Sequence, residues 1–264
     1  MSYDFRIIKY PRTHHLEGSR LQAGDEDLSQ VSFDHIFGRN IVIEEKIDGA
    51  NSALSFDDEG RLLLQSRGHY LDGGYRERHY NLMKQWGHIN AELFYSVLGS
   101  RYIMYGEWMY AKHTVFYDAL PDYFMEFDIY DREERVFLDT PSRRRLTDQM
   151  GIISSVPVLD TGVFRNKEKI LSHIGHSNFI TDRHTEVLRA LARRQELDEE
   201  RVLRETDPST TMEGLYIKVE EGGVVTERLK YVRASFLQCV FASESHWQSR
   251  PIIPNQLAGH TVLS

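Results

Sequence analysis

Lys46 stands in EKIDGANSAL, just after the apolar residues 41–43 and before a second run that begins near Ser52. This puts an amine at the mouth of two strands. Such an amine is a nucleophile if nearby cations or desolvation lower its pKa. The same pattern also fits a plain hairpin turn with an exposed lysine, and one short motif does not decide between them. Further candidates lie downstream. Glu107 closes the strand-like YGEW, and Phe127 and Asp128 lie in the aromatic FMEFDIYD. Glu213 and Lys218 bracket EGLYIK, and Arg67 sits in SRG. Arg228 and Lys230 in RLKYV are two apart, hence on one strand face. Singly, each has a plainer reading: a core phenylalanine, solvated strand-end acids, or edge cations that discourage aggregation.

The elements that must position these residues are legible in outline. Residues 41–45 form a short apolar run, 51–56 alternate, and 61–66 are leucine-rich after the turn-like DDEG. Between 75 and 98, Leu82, Trp86, Ile89, Leu93 and Val97 recur at helical steps and predict one amphipathic helix. Residues 101–108 and 123–130 read as strands. Thr140 followed by Pro141 predicts a helix start with Thr140 as its cap. A charged helical stretch covers 181–204, and strands at 215–219 and 224–232 flank EEGG. The first forty residues are polar, with Leu28, Val31, Phe33, Ile36 and Phe37 as an anchor. The expected class is α+β, antiparallel-leaning, with helices inserted between strand groups.

Taken in order, EKIDG, SRG, YGEW, FMEFDIYD, EGLYIK and RLKYV resemble the nucleotidyl-transfer motifs of the polynucleotide ligase and capping-enzyme superfamily. They are most similar to the RNA ligase 2-like branch of ATP-dependent RNA ligases, over residues 41–233. The resemblance implies an antiparallel-sheet-based nucleotidyltransferase (adenylation) domain of the ATP-grasp-like ligase type. It implies ATP with Mg2+ or Mn2+ as cofactors, and joining of 5′-phosphate to 3′-hydroxyl RNA ends through lysyl-AMP and adenylylated RNA. Lys46 would attack the α-phosphorus and release pyrophosphate. Lys230 and Arg228 would face the α-phosphate and depress the pKa of Lys46. Arg67 and Glu107 would hold the ribose hydroxyls, Phe127 would stack on adenine, and groups near Glu45 would read the base edge. Glu213 would face the metal. Asp48 and Lys218 complete the set. Asp48 stands where that branch often has histidine, and Arg228 where it tends to have lysine; aspartate at the first position is more typical of DNA ligases. The alternatives are a DNA nick-sealing core, a non-catalytic nucleic-acid-binding relative, and an adenylyltransferase acting on a protein or small acceptor.

Composition bounds the rest. The chain has 264 residues, 41% hydrophobic and 27% charged, enough to bury a core without disulfide or metal staples. Its one cysteine, Cys239, excludes a disulfide framework, fits a reducing cytoplasm, and lies in an apolar run that suits a core. No apolar run is long enough for a membrane helix, and the N-terminus lacks a signal core. A net charge of −8 argues against a broad basic coat for nucleic acid but allows a local groove. Arg143, Arg144 and Arg145, and Arg189, Arg193 and Arg194, are candidates for phosphate contacts; the second set also reads as a solvated face paired with Glu186, Glu196, Glu199 and Glu200. Twelve histidines without metal-ligand spacing predict no zinc site, and a P-loop is absent. A single domain over 1–264 is expected, with residues 234–264 as a short C-terminal extension too small for an OB-fold. The expected partners are RNA ends or a nicked RNA-containing duplex, with an RNA-repair protein, and no membrane.

Overall fold

A computed structural model of the chain describes residues 5–19, 29–236 and 250–259. Among the described residues, twelve strands form two sheets, with six α-helices packed around them. Cys239 and Leu28 lie outside the described residues.

The first sheet is built on β3 (Asn40–Lys46), which pairs antiparallel with β10 (Val158–Val163) on one side and β11 (Gly214–Glu221) on the other. Beyond β11 come β12 (Val224–Val232), β1 (His14–Leu16) and β2 (Gln30–Val31). β11 and β12 form the hairpin predicted around EEGG. Gly222 and Gly223, at φ 63° and 85°, supply the left-handed turn that L side chains resist. The second sheet runs β5 (Leu62–Ser66), β4 (Ala50–Phe56), β6 (Tyr102–Trp108), β7 (Phe124–Asp131) and β8 (Val136–Phe137), with β9 (Ser154–Ser155) beside β7. Antiparallel pairing dominates, as expected, and the parallel pairs are confined to the short β1, β2 and β9.

One apolar core packs α1 (Asn81–Ile89), α2 (Ala91–Leu98) and α3 (Thr140–Met150) on the second sheet through Met83, Phe94, Leu98, Met104 and Phe124. Another seals the first sheet with Phe33, Ile36, Ile41, Ile43, Ile217 and Leu229. The N-terminal anchor thus holds at Phe33 and Ile36. A short α4 (Lys167–Leu171) contributes Ile170 to the same core.

Four expectations are corrected in detail. The single helix over 75–98 is a 3-10 turn followed by α1 and α2, broken at Asn90, whose amide side chain caps back onto Trp86 O at 2.8 Å. Ile89 is 80% exposed despite its helical spacing. The stretch 181–204 is likewise two helices, α5 (His184–Arg194) and α6 (Glu199–Arg204). The cap of α3 is Asp139, which accepts the Ser142 N–H at 3.0 Å, while the Thr140 hydroxyl donates to Glu220 at 2.6 Å. Arg143 is fully buried: it pairs with Glu44 on β3 and with Glu126 on β7, at 2.6 Å to the latter, and so ties the two sheets together. It offers nothing to an external phosphate. Arg193 pairs with Glu199 at 2.5 Å, and Arg189 approaches Glu199 and Glu200, so these two belong to the paired surface reading.

Residues 250–259 are integrated into the fold. Ala111 bridges Pro254, Leu120 bridges Leu257, and Asn255 is completely buried.

Candidate active site

A cavity of about 1430 Å³ opens between the two sheets. Its walls come from the ends of β3, β4, β6, β7, β11 and β12, so residues far apart in sequence meet there. Glu45, Lys46, Asp48, Arg67, Glu107, Phe127, Glu213 and Lys230 all line it.

Lys46 is the last residue of β3. The next turn lies hard against β6. A Cβ on Gly49 would sit 2.6 Å from Met109 Sδ, 2.8 Å from Glu107 Cγ and 3.0 Å from Trp108 O, so only glycine fits. This close approach explains the Asp-Gly after the lysine better than turn propensity does. Gly214 is as constrained, because a Cβ there would overlap Tyr231 O at 1.9 Å; it lets Glu213 sit opposite the end of β3.

Lys46 Nζ donates to Glu213 Oε2 at 2.7 Å. Burial opposes the lysine charge, yet Glu213, with Glu107 and Asp48, outweighs it and holds the Lys46 pKa above the usual value. This reverses the expectation that neighbouring cations depress it. The carboxyls carry the complementary strain. Burial pushes Glu107 up to about 8, against the pull of Lys46, with Glu213 and Asp48 adding to the rise. Burial likewise pushes Glu213 up to about 7. Asp48 is fixed: its Oδ2 accepts the N–H groups of Thr114 and Val115 at 2.8 and 2.9 Å.

Phe127 is half-buried on the cavity wall, edge-on to Tyr10 at 5.0 Å between centroids. Glu45 is buried, and its carboxylate accepts from Ser177 Oγ at 2.5 Å and Asn178 Nδ2 at 2.6 Å, so it shapes the 177–178 turn beside the cavity. Arg67 is exposed at the rim.

Lys218 and Arg228 are not in the cavity wall. A strand advances about 3.4 Å per residue, which sets Arg228 roughly 7 Å further along the face than Lys230. There its Nε donates to Asp128 Oδ2 at 2.8 Å, and its guanidinium lies 3.9 Å over Phe137. Lys218 is wholly buried, 2.9 Å from Glu44 and 3.3 Å from Asp128, and donates to Phe127 O. Burial alone would raise the Asp128 pKa, but Arg228 and Lys218 hold it below the usual range. These residues form a charged layer under the wall that carries Phe127.

Several wall residues carry no signal in the sequence motifs. Tyr10 and Thr13 arrive through the N-terminal segment, whose β1 pairs with β12. His113 Nδ1 lies 3.8 Å from Asp48 Oδ1, and Arg250 arrives from the C-terminal segment. Asn51 was legible in principle, in the DGAN that continues the lysine motif, and its register partner is Glu107.

No group of three or more potential metal-ligating side chains forms a cage among the described residues. The donor chemistry instead suits Mg2+ or Mn2+, which take one or two carboxylates and complete their shell with phosphates and water. Burial, with neighbouring carboxylates adding to it, raises Glu213 and Glu107, and a cation beside them would favour their charged forms. No helix among the described residues is long and apolar enough to cross a membrane.

A two-sheet α+β core with a lysine at the strand mouth defines a nucleotidyltransferase fold. The RNA ligase pattern matches residues 39–232, and the chain belongs to the RNA ligase family. Solved structures agree on the fold. Naegleria gruberi RNA ligase in a variant with ATP and Mn is 17% identical, with TM-score 0.55 over 90% of this chain and 59% of that one. A second variant with AMP and Mn is 15% identical over the same shares, also at 0.55. A third, with AMP and Mn, is 17% identical at 0.51 over 78% of this chain and 53% of that one. The chain therefore spans little more than half the length of these ligases. No curated protein matches it.

Proposed function

We propose that this chain is an ATP-dependent RNA ligase that becomes adenylylated on Lys46 and passes AMP to a 5′-phosphate RNA end, which a 3′-hydroxyl then attacks. The observation that carries this reading is Lys46 Nζ, 2.7 Å from Glu213, in one cavity with Phe127 and Lys230. Family membership and the ATP- and AMP-bound Naegleria structures support the choice of nucleotide. The cavity also exceeds the roughly 300–1,000 Å³ of ordinary small-molecule sites, which leaves room beside a nucleotide for a strand end.

Phe127 stacks on the adenine, and Lys218 and Arg228 brace its strand from beneath. Glu107, with its carboxyl near 8, is largely protonated at pH 7 and donates a hydrogen bond to a ribose hydroxyl, with Arg67 at the rim. Lys230 places its charge at the α-phosphate, where charge gathers in the transition state. Lys46 is a nucleophile only without its proton, and the Glu213 charge holds that proton in the resting site. Loss of this pairing as the nucleotide enters lowers the amine pKa toward the reactive form. Glu213, near Asp48, would hold a divalent cation, which would supply positive charge to the phosphate oxygens. The substrates are RNA ends or a nicked RNA-containing duplex, handled with an RNA-repair partner. The single cysteine suits a cytoplasmic setting.

The test is the mass of the full chain after incubation with ATP and Mg2+. The wild-type protein gains AMP and Lys46→Ala does not. A chase with 5′-phosphorylated RNA then removes the label. A Lys46→Ala chain that still labels sinks the assignment of the nucleophile, and a label that RNA cannot discharge points to a different acceptor.

A further inference from the structure

Asn255 lies beyond residue 232, where the RNA ligase pattern ends, and it is fully buried. Its side-chain Nδ2 donates to Met109 O at 2.7 Å, and its Oδ1 accepts the Tyr117 N–H at 3.0 Å. Its backbone N–H donates to Tyr110 O at 2.8 Å, and its carbonyl accepts the Tyr123 hydroxyl at 2.9 Å. The next residue, Gln256, donates its N–H to Tyr117 O at 2.8 Å. Tyr117 is therefore held on both sides of its backbone by the 255–256 segment.

That grip reaches the nucleophile in two further contacts. The Tyr117 hydroxyl accepts the Asp48 N–H at 2.8 Å, and the same loop gives Asp48 its two carboxylate hydrogen bonds from Thr114 and Val115. Tyr117 is itself buried, so its hydroxyl meets Asp48 at one place only. Met109, whose carbonyl takes the Asn255 amide, is also the residue whose Sδ crowds Gly49. Both routes from Asn255 end on the turn that follows Lys46. A buried amide that uses its donor and its acceptor on two different segments fixes their spacing, and its loss strands both partners.

We propose that Asn255 is a positioning residue of the adenylylation site, acting through Tyr117 to hold the Asp48 turn where Lys46 can reach the nucleotide. This inference rests on the ligase reading of Lys46. It makes the segment around residue 255 a working part of the site, although it follows the last recognisable motif by more than twenty residues.

The experiment measures the rate of AMP attachment to the full chain by quenched-flow mass spectrometry, over a range of ATP concentrations. Tyr117→Phe removes only the hydroxyl. It should slow lysyl-AMP formation about five- to tenfold at saturating ATP, the effect of one lost buried hydrogen bond, and leave KM for ATP unchanged. Asn255→Ala should slow it at least as much. The double variant should be no slower than Asn255→Ala alone, because the two act in one chain of contacts. A purely structural role would lower the melting point without splitting the rate from KM. Wild-type labelling with an unchanged rate in Tyr117→Phe overturns the positioning role and leaves the ligase reading standing; so do effects that simply multiply. If Asn255→Ala fails to fold, Tyr117→Phe alone decides. Wild-type protein that takes no AMP overturns both readings.

Discussion

Replacing Gly49 with alanine tests whether the turn after Lys46 is set by contact with β6. The added Cβ would stand 2.6 Å from Met109 Sδ and 2.8 Å from Glu107 Cγ. Ordinary contact begins at 3.4 Å, so these atoms must retreat by roughly 0.6–0.8 Å. Met109 is fully buried and has no open space to take up that shift, while Glu107 borders the cavity and yields only by leaving its place beside Lys46. The third neighbour, Trp108 O at 3.0 Å, is backbone and moves only with the strand. Overpacking of this kind costs about 1–3 kcal/mol. A loss of about 2 kcal/mol lowers the melting midpoint by roughly 4–8 °C in a chain near this size. The chemical effect should be larger, because a displacement approaching 1 Å at reacting groups costs up to about 10²-fold in rate. Gly49→Ala should therefore label with AMP at least about tenfold more slowly, read by mass spectrometry in time-resolved samples, while differential scanning fluorimetry follows the midpoint. A variant that labels at the wild-type rate and melts within a degree of it would show that the turn is free to move, and the steric account of the Asp-Gly would be wrong.

Two other outcomes follow from the buried charges. Arg143→Leu leaves Glu44 and Glu126 without their shared cation, so it should cost about 3–5 kcal/mol in urea unfolding at pH 8. Burial already pushes the Glu126 carboxyl up despite Arg143, so the loss should shrink as the pH is lowered and that group takes a proton; a loss that does not change with pH refutes the charge argument. Glu107 and Glu213 have folded pKa values, about 8 and about 7, above the ordinary carboxylate range. Their contribution to stability is fully present below the unfolded pKa and is lost as pH rises through the folded values. Glu107→Gln should accordingly flatten the decline in stability between pH 5 and 9, and parallel wild-type and variant curves would count against the raised carboxyl.

Much of the sheet core was readable because its strands carry their own pattern. β3, β4, β6, β7, β11 and β12 are apolar or alternating runs bounded by turn residues, and they fall where that pattern puts them. β1 and β2 have three and two residues, too few for any period, and exist because β12 offers an edge to pair with. The helical period runs unbroken through Asn90, so pattern alone could not place the division between α1 and α2. The candidate site divides along the same physical line. Lys46, Glu107 and Glu213 sit at or beside strand ends, and Phe127 and Lys230 lie within β7 and β12; all five line the cavity, and strand position is local information. Lys218 and Arg228 lie on strands too, but their burial depends on Asp128 and Glu44 reaching them from other strands. Arg143 misled most, since three consecutive arginines near a helix start read as candidates for phosphate contacts. Its partners are 17 and 99 residues away, which no local window contains.

The Arg143 bridge makes the cleft behave like a caliper pinned from behind, with the Lys218–Asp128 and Arg228–Asp128 pairs tying the same two jaws. Glu44 is two residues before Lys46, and Glu126 is one residue before Phe127 on the opposite wall. One planar guanidinium holds both carboxylates, so it helps set the gauge between the jaw that carries Lys46 and the jaw that carries Phe127. Its fork has two prongs at a fixed angle, where a lysine in its place would offer one point charge on a flexible stem. The opening is thus dimensioned from behind, out of reach of solvent and of any ligand. Residues facing the cavity can be exchanged without removing that bridge.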